Sequence, residues 1–136
     1  MRLKMTSSYS TYALFLVTIL ITPALAADTF TVENNDVWIE SGGVDDHLSC
    51  SVNGREIVQG HFGLQQMLVN VGPSLKRGTN SIACKVTDND NGSCFAYEIR
   101  IKSGFKILKT LQESCCNASC ARSNPVLDDT TNIIIQ

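Results

Sequence analysis

Two segments of the chain alternate apolar and polar residues with a period of two, which is typical of half-buried β-strands. The apolar positions are Leu48, Cys50 and Val52 in the first segment and Ile82, Cys84 and Val86 in the second. Both cysteines are therefore expected to point into a core. We predict that the two segments are strands of one β-sandwich and that a Cys50–Cys84 disulfide joins them.

Shorter stretches repeat this alternation between turn signals. Strands are predicted over 29–33, 37–39, 56–58, 67–71, 94–102 and 105–111, with a terminal strand at 133–135. Asn53-Gly54 is a strong hairpin signal. Ser41-Gly42-Gly43 is expected to break a strand, residues 60–63 to form a loop and residues 88–92 a polar hairpin tip. Seven or eight short strands at even spacing predict an all-β, antiparallel sandwich in a single domain.

The first 27 residues have the pattern of a signal peptide. Arg2 and Lys4 precede the apolar run Ala13–Ile21, and Ala24-Leu25-Ala26 supplies the small residues of a cleavage site. The run is shorter than the roughly 20 residues that span a bilayer. We therefore expect an exported chain, in the periplasm or secreted, with no membrane span after cleavage. Residues 28–112 are assigned to the sandwich and 113–136 to a Cys-rich C-terminal tail.

Charge and cysteine content narrow the classes of partner and compartment. Eleven Lys and Arg less Arg2 and Lys4 leave nine against thirteen Asp and Glu, a net charge of −4. This balance argues against nucleic acid or an anionic membrane surface as partner. All six cysteines follow the signal sequence, so we expect disulfides formed in an oxidising compartment.

Six cysteines allow fifteen connectivities. Because adjacent cysteines bridge each other poorly, Cys115 and Cys116 are expected to have different partners. Cys94 is the strand cysteine left for the tail, and the remaining tail pair would join Cys115 or Cys116 to Cys120.

Several short motifs resemble the galactose-binding-like jelly rolls. They are Asp45-Asp46-His47-Leu48 through Val52-Asn53-Gly54, Leu75-x-x-Gly78-x-Asn80-x-Ile82, and Val86-Thr87-Asp88. The motifs extend over about 45 residues, and the resemblance implies a jelly-roll sandwich that binds a sugar or packs against a neighbouring domain.

The paired-cysteine segments also look like strands of an immunoglobulin domain. No Trp lies between Cys50 and Cys84, however, and Ile82 stands where a tyrosine corner would place Tyr. Both resemblances imply a sandwich, and the jelly roll is preferred.

No motif predicts catalysis, a metal or a cofactor. In residues 88–92 the Gly comes fifth, and Ile99 occupies the twelfth position where a helix-loop-helix calcium site needs Glu. Asp45, Asp46, His47 and His61 form the one mixed set of possible zinc ligands, and nothing in their spacing brings them together. Neither His has a recognisable nucleophile partner. We therefore interpret the protein as a non-enzyme.

These observations favour a binding protein, specifically an inhibitor or immunity protein that docks on an envelope-acting enzyme such as a cell-wall hydrolase. The expected contacts are the loop residues Asp45, Asp46, His47, Arg55, His61, Phe62, Asp88 and Asp90. The alternatives are a structural subunit of an envelope assembly and a carbohydrate-binding module centred on Trp38 and Phe62. The other aromatic residues, Phe30, Phe95, Tyr97 and Phe105, are assigned to the core.

Overall fold

The computed structural model describes residues 26–63, 66–88, 94–116 and 125–136. Its strands are β1 (Asp28–Val32), β2 (Val37–Val52), β3 (Arg55–Gly63), β4 (Met67–Asn70), β5 (Gly78–Thr87), β6 (Phe95–Ser103), β7 (Lys106–Cys115) and β8 (Leu127–Ile135). A 3-10 turn occupies Gly72–Ser74. The prediction of an all-β fold is confirmed. Within the described part of the chain, no helix is long and apolar enough to cross a membrane.

The strand β2 belongs to both layers of the sandwich. Its first half pairs with β4 and β6, and its second half pairs with β3 and β5. The predicted break at Ser41-Gly42-Gly43 is wrong, because β2 continues through these residues with a shift in register between Ser41 and Gly43. Such an irregularity bends a strand without ending it. The prediction of a loop at 60–63 is also wrong, since β3 extends to Gly63 and pairs there with Val44.

Two sheets therefore share β2. The first sheet contains β3, β2, β5, β8 and β1, and the second contains β4, β2, β6 and β7. Neighbouring strands are antiparallel, except that β1 and β8 run parallel from Asp28↔Thr131 to Val32↔Ile135. The segment assigned from the sequence to a tail, residues 113–136, contains the end of β7 and all of β8.

The inward-facing residues of both sheets form one core. It contains Val32, Val37, Ile39, Val44, Leu48, Cys50, Val52, Val58, Val71, Ile82, Cys84, Val86, Phe95, Tyr97, Ile99, Ile101, Ile133 and Ile135. Phe30 packs against it, as expected, and is partly buried. The assignment of Phe105 to the core is wrong: its side chain is fully exposed. Phe105 lies in the turn between β6 and β7, where strand alternation no longer fixes the direction of a side chain.

The predicted Cys50–Cys84 disulfide is confirmed, and both half-cystines are buried. The two residues lie opposite each other on β2 and β5, so the bridge joins adjacent strands of one sheet. Cys94 pairs with Cys116, as expected for the tail. Cys115 is also disulfide-bonded. The predicted pairing that involves Cys120 lies outside the described residues.

Asn80 organises the turn that leads into β5. Its buried amide donates to the carbonyls of Lys76 and Gly78 at 2.7 and 3.0 Å. Its Oδ1 accepts from the Lys76 backbone N–H at 2.9 Å and from Asn53 Nδ2 at 3.0 Å. The Asn80 side chain thus supplies hydrogen-bond partners to backbone groups of the β4–β5 connection. It also binds Asn53 in the β2–β3 hairpin.

We expect Asn80→Ala to lower the free energy of unfolding by about 2–3 kcal/mol, because the buried partners of the amide lose their hydrogen bonds. Asn132→Ala, on the outer face of β8, is the matched control and should change it by less than about 0.5 kcal/mol. Urea unfolding followed by circular dichroism measures both values. Equal effects of the two substitutions would contradict the role given to Asn80.

Candidate protein-binding face

The outer face of the second sheet ends in an exposed apolar patch, formed by Trp38, Leu68, Phe105 and Ile107. The exposed fractions of Leu68, Phe105 and Ile107 are 59%, 105% and 49%. These are the exposed large hydrophobic residues found among the described residues. Exposed apolar side chains scattered singly are ordinary, but a contiguous group of them is typical of an interaction site.

Strand register explains how the patch forms. Trp38 lies opposite Lys102 on β6 and Asn70 on β4, and Leu68 lies opposite Glu40. Since neighbouring residues of a strand point to opposite faces, burial of Val37 and Ile39 directs Trp38 outwards. The β6–β7 turn then places Phe105 beside it.

A hollow of about 290 Å³ lies within this patch. Its lining residues are Asp36, Trp38, Leu68, Lys102, Gly104 and Phe105. The indole Nε1 of Trp38 donates to Asp36 Oδ1 at 2.6 Å, which holds the ring in one orientation. The hollow therefore has apolar walls on a backbone fixed by two paired strands.

A charged strip continues from the patch along the same face, formed by Glu40, Glu98, Arg100 and Lys102. Glu40 binds Arg100 at 3.1 Å and Lys102 at 2.8 Å, and Arg100 also pairs with Glu98. The hydrogen bond from Lys102, together with the charges of Lys102 and Arg100, outweighs desolvation and lowers the pKa of Glu40. The strip thus presents paired charges in fixed positions.

A second ion-pair group closes the gap between β7 and the strands β1 and β8. Lys109 Nζ lies 2.8 Å from Asp28 Oδ2 and 2.7 Å from Asp129 Oδ1. These hydrogen bonds and charges outweigh burial and raise the pKa of Lys109. Nearby, Tyr97 donates to Glu113 at 3.1 Å, and its burial, followed by the Glu113 carboxylate, raises the pKa of Tyr97 to about 12. The contacts of Lys109 thus join the second sheet to the first at this edge, while the Tyr97–Glu113 bond joins β6 to β7 within the second sheet.

Most of the contact residues expected from the sequence lie at the bend of β2, away from the patch. His47 pairs with His61 on β3 and with Thr87 on β5, which directly precedes Asp88. Asp45, Asp46 and Phe62 occupy neighbouring strand positions. The expectation that residues 45–47, 55, 61 and 62 are in loops is wrong, because all of them belong to β2 or β3.

The remaining expected contacts lie elsewhere. Arg55 begins β3 at the opposite end of that strand, and Trp38 belongs to the apolar patch. Asp90 lies outside the described residues. Sequence reasoning did not select Leu68, Phe105 or Ile107. For Phe105 the Ser103-Gly104 turn was the available signal, because a residue inside a tight turn is usually exposed.

Comparison with protein-family models, with curated proteins and with solved structures finds no match to this chain. The resemblances to galactose-binding-like and immunoglobulin-like domains therefore stay predictions. In the described residues, no group of three or more His, Cys, Asp or Glu is placed to hold a metal ion.

The lowered pKa of Glu40 predicts a pH-dependent contribution to stability. A carboxyl group whose folded-state pKa lies below 4.5 stabilises the fold above that value, and the contribution is lost as the pH falls through the folded-state pKa. Glu40→Gln should therefore lower the free energy of unfolding at neutral pH, by no more than about 1 kcal/mol for a partly exposed pair.

Urea unfolding across the acid range measures this difference, with Glu33→Gln in the exposed β1–β2 turn as the matched control. The difference in the free energy of unfolding between wild type and Glu40→Gln should disappear as the pH is lowered. A gap that is independent of pH would contradict the ion-pair explanation.

Proposed function

We propose that the protein is an exported, non-catalytic binding protein that docks on a partner protein through the apolar patch. The exposure of Phe105 and Leu68 beside Trp38 carries this proposal. Apolar surface gains about 25 cal/mol for each Å² removed from water, so a partner that covers the patch is favoured. Aromatic residues are also enriched among those that dominate binding energy.

The rigidity of the face supports docking. Trp38 is held by Asp36, and the side chains of the charged strip are held by one another. Side chains that are already ordered lose less conformational entropy when a partner binds. The charged strip lies beside the apolar patch, in the way that a polar rim surrounds the apolar centre of a typical interface. Its paired charges disfavour partners whose charge pattern does not match.

The partner we propose is an envelope-acting enzyme, such as a cell-wall hydrolase, which this protein inhibits or to which it confers immunity. The signal-peptide pattern supports export of this protein to the compartment in which such enzymes act, and the disulfides are compatible with export. A net charge of −4 after removal of Arg2 and Lys4 favours a basic partner and would accelerate its association at low salt.

Phe105→Glu should abolish capture of the partner, because a carboxylate replaces the most exposed ring of the patch. Thr79→Glu adds the same charge at an exposed position of β5, in the first sheet, and is the matched control. The two variants and the wild type, immobilised at equal density, are exposed to envelope extract. Bound proteins are identified by mass spectrometry.

A captured enzyme is then assayed for hydrolysis of cell-wall material with increasing amounts of each variant. Wild type and Thr79→Glu should inhibit, and Phe105→Glu should not. Capture of the same enzyme by all three proteins would overturn the assignment of the patch. Capture without any loss of hydrolysis would overturn the inhibitory function.

Carbohydrate binding is the second candidate, and the orientation of Trp38 beside Phe105 favours it. The sequence predicts a site that combines Trp38 with Phe62. Phe62 precedes Gly63 at the end of β3, and Gly63 pairs with Val44 on β2. Val44 lies about 20 Å from Trp38 along β2, so the two aromatic residues are far apart. Phe105 is the aromatic neighbour instead. Lys102 already binds Glu40, and Asp36 already accepts a hydrogen bond from Trp38. Fewer polar groups are therefore left for sugar hydroxyls, and protein docking is preferred.

A glycan array separates the two candidates. If the hollow binds sugar, the wild type gives glycan signals that Trp38→Ala removes and Thr79→Glu retains. Under the preferred proposal, the wild type gives no glycan signal above the background of a protein without the hollow.

A further inference from the structure

The Cys94–Cys116 bridge has surroundings unlike those of the bridge in the core. Cys50 and Cys84 are 0% and 2% exposed, whereas Cys94 and Cys116 are both exposed. Thiol–disulfide exchange requires a thiolate to reach a sulfur atom. Access to solvent therefore separates the two bridges by reactivity, since the buried one reacts only when the sandwich opens.

The exposed bridge lies at the open end of the β6–β7 hairpin. Phe95 pairs with Cys115, so Cys94 and Cys116 flank the last pair of the ladder. Burial of Phe95 directs Cys94 to the outer face of the second sheet, and Cys116 follows Cys115, which packs against the core. The bridge is thus outside the core, at the end of the hairpin opposite to the Phe105 turn.

A hollow of about 200 Å³ lies on this face around the Ala96–Ser114 pair, and we call it the exchange hollow. Its lining residues are Gly42, Gly43, Ala96, Tyr97, Glu98, Gln112, Glu113 and Ser114. Ala96 and Ser114 pair with each other and are two residues from Cys94 and Cys116, so by strand alternation they lie on the same side. The Glu98 carboxylate covers Gly42, so the close approach of another protein is confined to the small Ala96 and Ser114 side chains.

We propose that the Cys94–Cys116 bridge and the exchange hollow form a thiol–disulfide exchange site for a protein dithiol. One thiolate of the dithiol attacks a sulfur of the bridge, breaks the S–S bond and forms a mixed disulfide. Its second thiol, as thiolate, resolves that disulfide and leaves with the first as a new intramolecular disulfide. Two electrons pass to this protein, and Cys94 and Cys116 end as protonated thiols.

Exchange at this site leaves the sandwich folded. The hairpin ladder continues from Phe95↔Cys115 to Ser103↔Lys106 without help from the bridge, and Cys50–Cys84 stays closed in the core. The apolar patch lies at the far end of the hairpin. Glu98 is shared by the charged strip and the exchange hollow, but the apolar patch and the bridge have no residue in common, so either proposal can fail without the other.

The test follows reduction of the folded, full-length mature protein by dithiothreitol, a small dithiol, and by thioredoxin, a protein dithiol. Samples are alkylated at intervals and mapped by mass spectrometry, while circular dichroism monitors the fold. Cys94 and Cys116 should be labelled at least about 100-fold faster than Cys50 and Cys84, because the buried pair waits for a rare opening. The variant Cys94→Ser with Cys116→Ser should lose the fast phase.

Ser114→Trp tests the exchange hollow, with Thr110→Trp as the control at another exposed position of β7. Filling the hollow should slow the reaction with thioredoxin by about tenfold and leave the reaction with dithiothreitol unchanged. Thr110→Trp should change neither rate.

Three results would overturn the proposal. The first is labelling of Cys50 and Cys84, or of Cys115, together with the exposed pair. The second is no labelling of Cys94 and Cys116 before the circular dichroism signal is lost. The third is an equal effect of Ser114→Trp on both reductants, which would show that no protein uses the hollow.

Discussion

The fold depends on one strand that belongs to two sheets. Because β2 pairs with β4 and β6 before its bend and with β3 and β5 after it, every other strand is placed directly or indirectly by β2. Bending the strand brings its buried residues on either side, such as Ile39 and Leu48, into one core. The Cys50–Cys84 bridge fixes the second half of β2 to β5, so the register that buries both halves is covalently secured.

The position of the apolar patch follows from the same strand. Residues of β2 that alternate with the core positions, Trp38 and Glu40, must face solvent, and β6 supplies Arg100 and Lys102 beside them. The β6–β7 turn adds Phe105 at one end of this face, and the exposed bridge closes the hairpin at the other. The proposed docking surface and the proposed exchange site thus lie at opposite ends of one hairpin.

Two polar side chains, Asn80 and Lys109, stabilise the sandwich from within. Asn80 satisfies backbone groups in a turn that burial would otherwise leave unpaired. Lys109 joins β7 to Asp28 and Asp129 where the ladder of backbone hydrogen bonds does not continue. Lys109 can therefore lie near the core because two carboxylates balance its charge.

The sequence by itself determined the all-β class, the Cys50–Cys84 pair and the attachment of Cys94 to the C-terminal cysteines, because alternation, turn residues and burial of cysteine are local patterns. It did not determine that β2 continues through Ser41-Gly42-Gly43. A glycine pair favours a turn in the sequence, and here it stays in a strand because the neighbouring strands provide hydrogen bonds. The sequence also did not determine the parallel β1–β8 pair or the exposure of Phe105. Those depend on which strands meet in space, and only the tertiary structure decided that.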